Sequence, residues 1–191
     1  MSTLYASVRA TEDTGKAWTL WHETRSLLYR QHTMSPVPEE ERYAFDRIDV
    51  FEYDAALRFE IQTVPAYGPI EEIPVGDDGN FCRKPIARTV GLVDDLGGEL
   101  TLYWVEAYGG GLFLPFKDKT NENLTYGGGR YLIDAIKSAD LGRTADQRIV
   151  LDFNFAYHPS CAWDPQYICP LAPSENTLSV PVIGGEYFPD H

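Results

Sequence analysis

From about Asp49 onward the chain sets apolar and polar residues in short alternating runs, broken repeatedly by Gly, Pro, Asn and Asp. This punctuation constrains the fold most, because a period of two places successive side chains on opposite faces of a strand. In "ALRFEIQTV", Leu57, Phe59 and Ile61 fall on one face and Arg58, Glu60 and Gln62 on the other. "ELTLYWVEA" groups Leu100, Leu102 and Trp104, and "VLDFNFAY" opposes Phe153 and Phe155 to Asp152, Asn154 and Ala156. About nine runs read this way. A short "YLIDAIKSAD" turn or helix does not turn them into a βαβ series. The expectation is a mainly β, α+β fold: an antiparallel sandwich or partly open barrel with an N-terminal helical segment.

The helical segment has a different period. In "KAWTLWHETRSLLYRQH", Trp18, Trp21, Arg25, Leu28 and His32 recur every three or four residues and share a face, so Trp18 and Trp21 are expected to be buried. Thr14 is the expected N-cap, and "SPVP" at 35–38 stops the helix. Pro38 then opens a short second helix, "PEEERYAF". The reading is one domain, 1–191, with N-terminal helices over 15–46 and a β-domain over 49–191.

Composition narrows the partners. With 43% hydrophobic residues the chain is globular, and 29 acids against 16 bases give a net charge of −13. Such a surface repels phosphate backbones and anionic lipid, which argues against nucleic acid and membrane as partners. No apolar run approaches the ~20 residues of a membrane span, and "MSTLYASVRATEDTGKAW" has no signal-peptide core. The expected location is cytoplasmic, where three cysteines remain thiols. The oligomeric state is not written in the pattern.

One motif repeats: "YGGGLFLPF" at 108–116 and "YGGGRYLID" at 126–134. The predicted hairpin joins 112–116 to 124–132 through a polar tip, "KDKTNEN", pairing residue 116 with about 125. Strand glycines there would either make room for aromatic rings or floor a pocket.

Metal and nucleophile motifs are poorly formed. His158, Cys161 and Cys169 space as H-x2-C-x7-C, without the close cysteine pair of a zinc knuckle. The tip "DKTNEN" lacks a calcium loop's glycine. No nucleophile elbow, P-loop or dinucleotide fingerprint is present. Neither metal nor cofactor is assigned. The segment "CAWDPQYICPLAP" reads instead as an ordered, irregular cover over one end of the β-core. Its anchors would be Trp163, Tyr167 and Ile168, with Cys161 and Cys169 as buried or half-buried thiols.

A polar constellation remains. Asp152 and Asn154 share a face, Arg130, Tyr131 and Asp134 follow the glycines, and Glu175, Asn176 and Glu186 flank a final strand, "TLSVPVIGG". Inward polar groups must be paired or wet. Arg130 is therefore expected to be at least half buried, within hydrogen-bond reach of Asp134, Asp152, Glu175 or Glu186.

"FLPFKDKTNENLTYGGGRYLID", "ADLG", "LDFNFAYHPSCAWDPQYICPLAPSENTL" and the final "GGE", with "YRQH…SP" and "VFEYDAALRFE", resemble the domain of unknown function 1684 family. The resemblance implies a bacterial or archaeal protein without an assigned activity, and supplies no catalytic residue. The family motif reads Asn-Pro-x-Cys where this chain has His158-Pro159-Ser160-Cys161, which counts against His158 as a required ligand or base. Arg130, Tyr126, Asp152, Asn154, Glu175 and Asn176 remain as positions for a shared site, with Tyr157 on its wall.

Two readings follow, and neither fixes whether the chain is an enzyme. In the first, a β-domain pocket binds a small polar or anionic ligand, with Arg130 as the anchor. In the second, the polar network is structural and the protein is a non-enzymatic interaction domain. What divides them is whether the arginine opens on a cavity or ends in a closed ion pair.

Overall fold

The computed structural model describes residues 1–74, 80–106 and 110–188. Tyr108 and Gly109, which open the first glycine motif, lie outside the described residues. Two helices lead, α1 (Ser2–Ala10) and α2 (Thr14–Gln31). The α2 cap is Asp13 rather than Thr14, its carboxylate accepting the Lys16 N–H at 3.0 Å. Residues 38–45, expected as a second helix, form consecutive turns closed by main-chain bonds from Glu41 and Arg42 to the Pro38 carbonyl.

The strands are β1 (Arg58–Pro65), β2 (Glu71–Pro74), β3 (Asn80–Val90), β4 (Thr101–Val105), β5 (Gly111–Phe116), β6 (Arg130–Asp134) and β7 (Ile149–Asp152). A one-turn helix, α3 (Val93–Leu96), links β3 to β4. The order is β6-β5-β4-β3-β1-β7, antiparallel throughout, with β2 beside β3. Its ends nearly meet: Tyr131 in β6 exchanges both main-chain hydrogen bonds with Tyr157, just beyond β7, at 2.8 and 3.0 Å. The sheet is thus a nearly closed barrel, as the alternation predicted.

Several expected elements are shorter or absent. "TLSVPVIGG" forms no regular strand: it meets its neighbour through the Lys117–Thr177 bridge and a further main-chain bond from Lys119 N–H to the Val180 carbonyl at 3.3 Å. β7 ends at Asp152 because that carboxylate accepts the Asn154 N–H at 3.1 Å and turns 153–155 into a 3-10 helix. The first half of "YLIDAIKSAD" is strand, and only Ala135–Lys137 is helical. In the predicted hairpin, Phe116 pairs with Arg130, not with residue 125, so the glycines stand in the loop. Gly129 has φ +94°, and a Cβ there would lie 2.5 Å from the Phe116 carbonyl oxygen. Close approach, not a pocket floor, requires it.

The sheet is buried on both faces. Leu100, Leu102, Leu114, Phe116, Leu151 and Phe153 fill the barrel. Tyr103, Val105, Phe113 and Tyr157 face outward onto Tyr5, Val8 and Trp21 of the two helices. Trp21 is fully buried, donating to Tyr5 Oη at 3.0 Å, while Trp18 is half-buried and donates to the Asn154 carbonyl at 3.1 Å. Trp104 departs from the parity of Leu100 and Leu102, being 39% exposed.

Candidate functional site

Arg130 enters the barrel from the first residue of β6 and is fully buried. Its acid is Asp118, at 2.8 Å, rather than any of the four expected carboxylates. Glu186 offers it a main-chain carbonyl at 3.2 Å, beside the Gly184 and Val182 carbonyls. Asp118 comes from the loop expected to be a solvent-facing tip, where Thr120 and Thr125 are also buried. Burial lowers the Arg130 pKa, and Asp118 only partly opposes it. The arginine ends in a closed ion pair.

The other expected residues occupy separate places. Asp152 and Asn154 bond to each other at 2.7 Å, and Asn154 also clasps the Asp54 main chain at 2.9 and 2.7 Å. Burial raises the Asp152 pKa, with only Arg58 at 3.7 Å as a cationic neighbour. Asn176 ties β4 to β5 through Thr101 N–H, Thr101 O and Pro115 O. Glu175 is exposed and accepts from Tyr103 Oη at 2.6 Å, which lowers its pKa. Tyr126 lies 3.8 Å from Cys161 Sγ. Tyr157 alone of the seven lines a cavity that also holds a buried cation.

That cation is Arg25. The α2 face carrying Trp21 presses its guanidinium between three rings, Trp21, Tyr29 and Tyr157, at 5.3, 4.9 and 4.5 Å. Its Nε donates to Glu186 Oε1 at 2.9 Å, and Nη2 reaches both Glu186 and Tyr29 Oη. The second Glu186 oxygen accepts the His158 N–H at 2.8 Å. Burial alone would lower the Arg25 pKa; the Glu186 carboxylate overrides it, and the net shift is upward. Nη1 has no hydrogen-bond partner among the described residues.

The cavity beside it measures about 270 Å³. Leu28, Met34, Pro36 and Tyr157 give it apolar walls, and Lys137 adds a second cation. No carboxylate is among its described lining residues. Two larger depressions, about 590 and 620 Å³, differ in kind: Asp46 borders both, and the first also carries Glu23, Asp49 and Glu52. The sequence had placed Arg25 on the buried helix face but gave no sign of Glu186 opposite it.

The cover segment is largely irregular as expected, and of its expected anchors Ile168 is 57% exposed. Trp163 does make ring contacts, edge-on to Tyr29 at 5.2 Å and to Phe45 at 5.9 Å. Cys161 and Cys169 are half-buried free thiols. Among the described residues no group of three or more His, Cys, Asp or Glu side chains is placed to hold a metal ion.

An acidic chain with a nearly closed antiparallel barrel, capped by two N-terminal helices over a buried arginine, defines the class structurally. The family model described as "Protein of unknown function (DUF1684)" matches residues 43–187, and the chain belongs to that family. It is also similar to an uncharacterised protein from gene locus rrnAC0354 of Haloarcula marismortui, solved by solution NMR. Identity is 28%, the TM-score is 0.64, and the match covers 95% of this chain and 98% of that one. An alignment of that extent takes in most of the residues preceding the family match. No curated protein matches the chain.

Proposed function

We propose that this protein binds a small organic anion in the Arg25 cavity. One observation carries the reading: a guanidinium only 2% exposed lines a cavity with no carboxylate among its described lining residues, and its Nη1 has no hydrogen-bond partner among the described residues. A carboxylate or phosphate oxygen entering the cavity can accept from that N–H in a charge-assisted hydrogen bond. Lys137 supplies a second positive contact, while Leu28, Met34 and Tyr157 take an apolar body. A volume near 270 Å³ suits a compact ligand. The Arg130, Asp152–Asn154 and Asn176 clusters hold the fold around this site. A cytoplasmic location belongs to the same reading, supported by the acidic surface and the three free thiols.

The test is a thermal-shift series with phenyl phosphate, benzoate and short fatty acids, each against its neutral amide or alcohol. At a hundredfold excess over Kd a ligand selective for the native state adds about 2.7 kcal/mol. Lys137→Gln should weaken the anion response with little change in the unliganded melt, because among the described residues Lys137 has one ion pair, to Asp134 at 3.7 Å, and its own side chain is half exposed. If no anion raises the melting temperature, or the variant responds like wild type, the reading fails.

A further inference from the structure

Cys161 and Cys169 are eight positions apart, and the 3-10 turn Ser160–Ala162 brings them together. The Cys161 N–H donates to Cys169 Sγ at 3.3 Å, and the Cys161 thiol reaches Tyr126 Oη at 3.8 Å. Tyr131 Oη donates to the Pro170 carbonyl at 2.7 Å and fixes the chain just after Cys169. Cys169 then lines a cavity of about 260 Å³ whose other walls include Phe81, Phe113, Tyr131 and Ile168. This cavity is distinct from the Arg25 site, though Ser160 and Lys137 border both. A half-buried sulfur facing an apolar chamber, with a second thiol in contact, is the arrangement of an attacking and a resolving cysteine.

We propose that Cys169 is a site of oxidation by organic hydroperoxides, with Cys161 as the resolving thiol. The Cys169 sulfur attacks the terminal peroxide oxygen, the O–O bond breaks, and the alkoxide takes a proton and leaves as an alcohol. Cys169 is now a sulfenic acid. The Cys161 sulfur attacks it, the S–O bond breaks, and water departs with the Cys161 proton as the disulfide closes. Two thiols and one hydroperoxide thus give one disulfide, one alcohol and one water. A dithiol reverses the change by exchange.

The electrostatics agree with this division of roles. The adjoining Cys161 pulls the Cys169 pKa down against its burial, with further help from the Cys161 N–H and from Lys137, while the same proximity pushes Cys161 up. Asp134 and Tyr131 also face Cys169 across the chamber, and Tyr126 stands beside Cys161. The pair thus favours the thiolate at Cys169 and the thiol at Cys161. A lower pKa raises the thiolate fraction but lowers its nucleophilicity, so a preference for organic hydroperoxides must come from the chamber.

The experiment treats reduced full-length protein with one equivalent of cumene hydroperoxide or hydrogen peroxide, following titratable thiols and intact mass. Cumene hydroperoxide should remove two thiols, with a mass loss of two hydrogens that dithiothreitol restores. Its rate advantage over hydrogen peroxide should exceed that shown by glutathione, because thiolate fraction and basicity cancel in this ratio and only the chamber distinguishes the two peroxides. Cys161→Ser should stop at a sulfenic acid trapped by dimedone, and Cys169→Ser should be inert while melting like wild type. The proposal is overturned if Cys169→Ser oxidises as fast as wild type, if the disulfide involves Cys82, or if the two peroxides show only the glutathione ratio.

Discussion

Arg25 and Arg130 are both buried, yet their surroundings shift them in opposite directions. Arg25 lies among aromatic faces opposite Glu186, which holds its charge. Arg130 relies on Asp118 and three carbonyls, and its Nε has no acceptor, so desolvation prevails. Asp118→Ala would leave an uncompensated charge in the barrel. It should cost about 3–5 kcal/mol by urea denaturation, and pairing it with Arg130→Met should recover most of that loss. An unchanged denaturation midpoint for the single variant would rule out Asp118 as the partner. Helical periodicity made the burial of Arg25 legible, because a residue four positions from Trp21 shares its face. Its partner was not legible: Glu186 is 161 residues away, and nothing local to either residue encodes the pair. Asp118 was hidden differently, inside a run whose polarity read as solvent exposure although its carboxylate turns inward.

At the scale of elements, the loop between β5 and β6 holds Arg130 in place, and Gly129 makes the tight exit from it. Gly129→Ala combines a left-handed φ with a Cβ driven into the Phe116 carbonyl and the Ala172 methyl group. A loss of at least about 2 kcal/mol is expected. Gly127→Ala is the control, since its Cβ meets only the flexible Glu122 side chain, at 3.0 Å, and should cost under about 1 kcal/mol. Thermal melts of the two variants decide the point, and equal losses would remove the special role of Gly129. The existence of this hairpin was readable from two apolar runs around a polar one. Its register was not, because three glycines carry no parity and a bulge between Leu114 and Pro115 shifts the count. The helix α1 escaped for another reason: nine residues with three buried ones, Leu4, Tyr5 and Val8, offer too little periodicity to stand out.

Across the whole molecule, helices and barrel meet on phenols. Tyr5 from α1, Tyr131 from β6 and Tyr157 beyond β7 share the cluster that contains Trp21 and Phe155. Burial raises all three pKa values, Tyr5 to about 12 despite the opposing Arg25 charge, and Tyr131 and Tyr157 well above the ordinary value. Each folded-state pKa lies above the ordinary value of 10.0, so the native state binds the phenolic proton more tightly than the unfolded chain. That stability is complete below pH 10 and is lost as pH rises through about 12. Denaturant midpoints should therefore show no loss from these phenols up to about pH 10 and then fall steeply, with helix docking and barrel lost together. Tyr5→Phe should soften this alkaline fall while lowering neutral stability, because Trp21 Nε1 loses the acceptor it has at 3.0 Å. Reversible titration of every tyrosine near pH 10, with stability unchanged, would show that the helices do not seal these rings against the sheet.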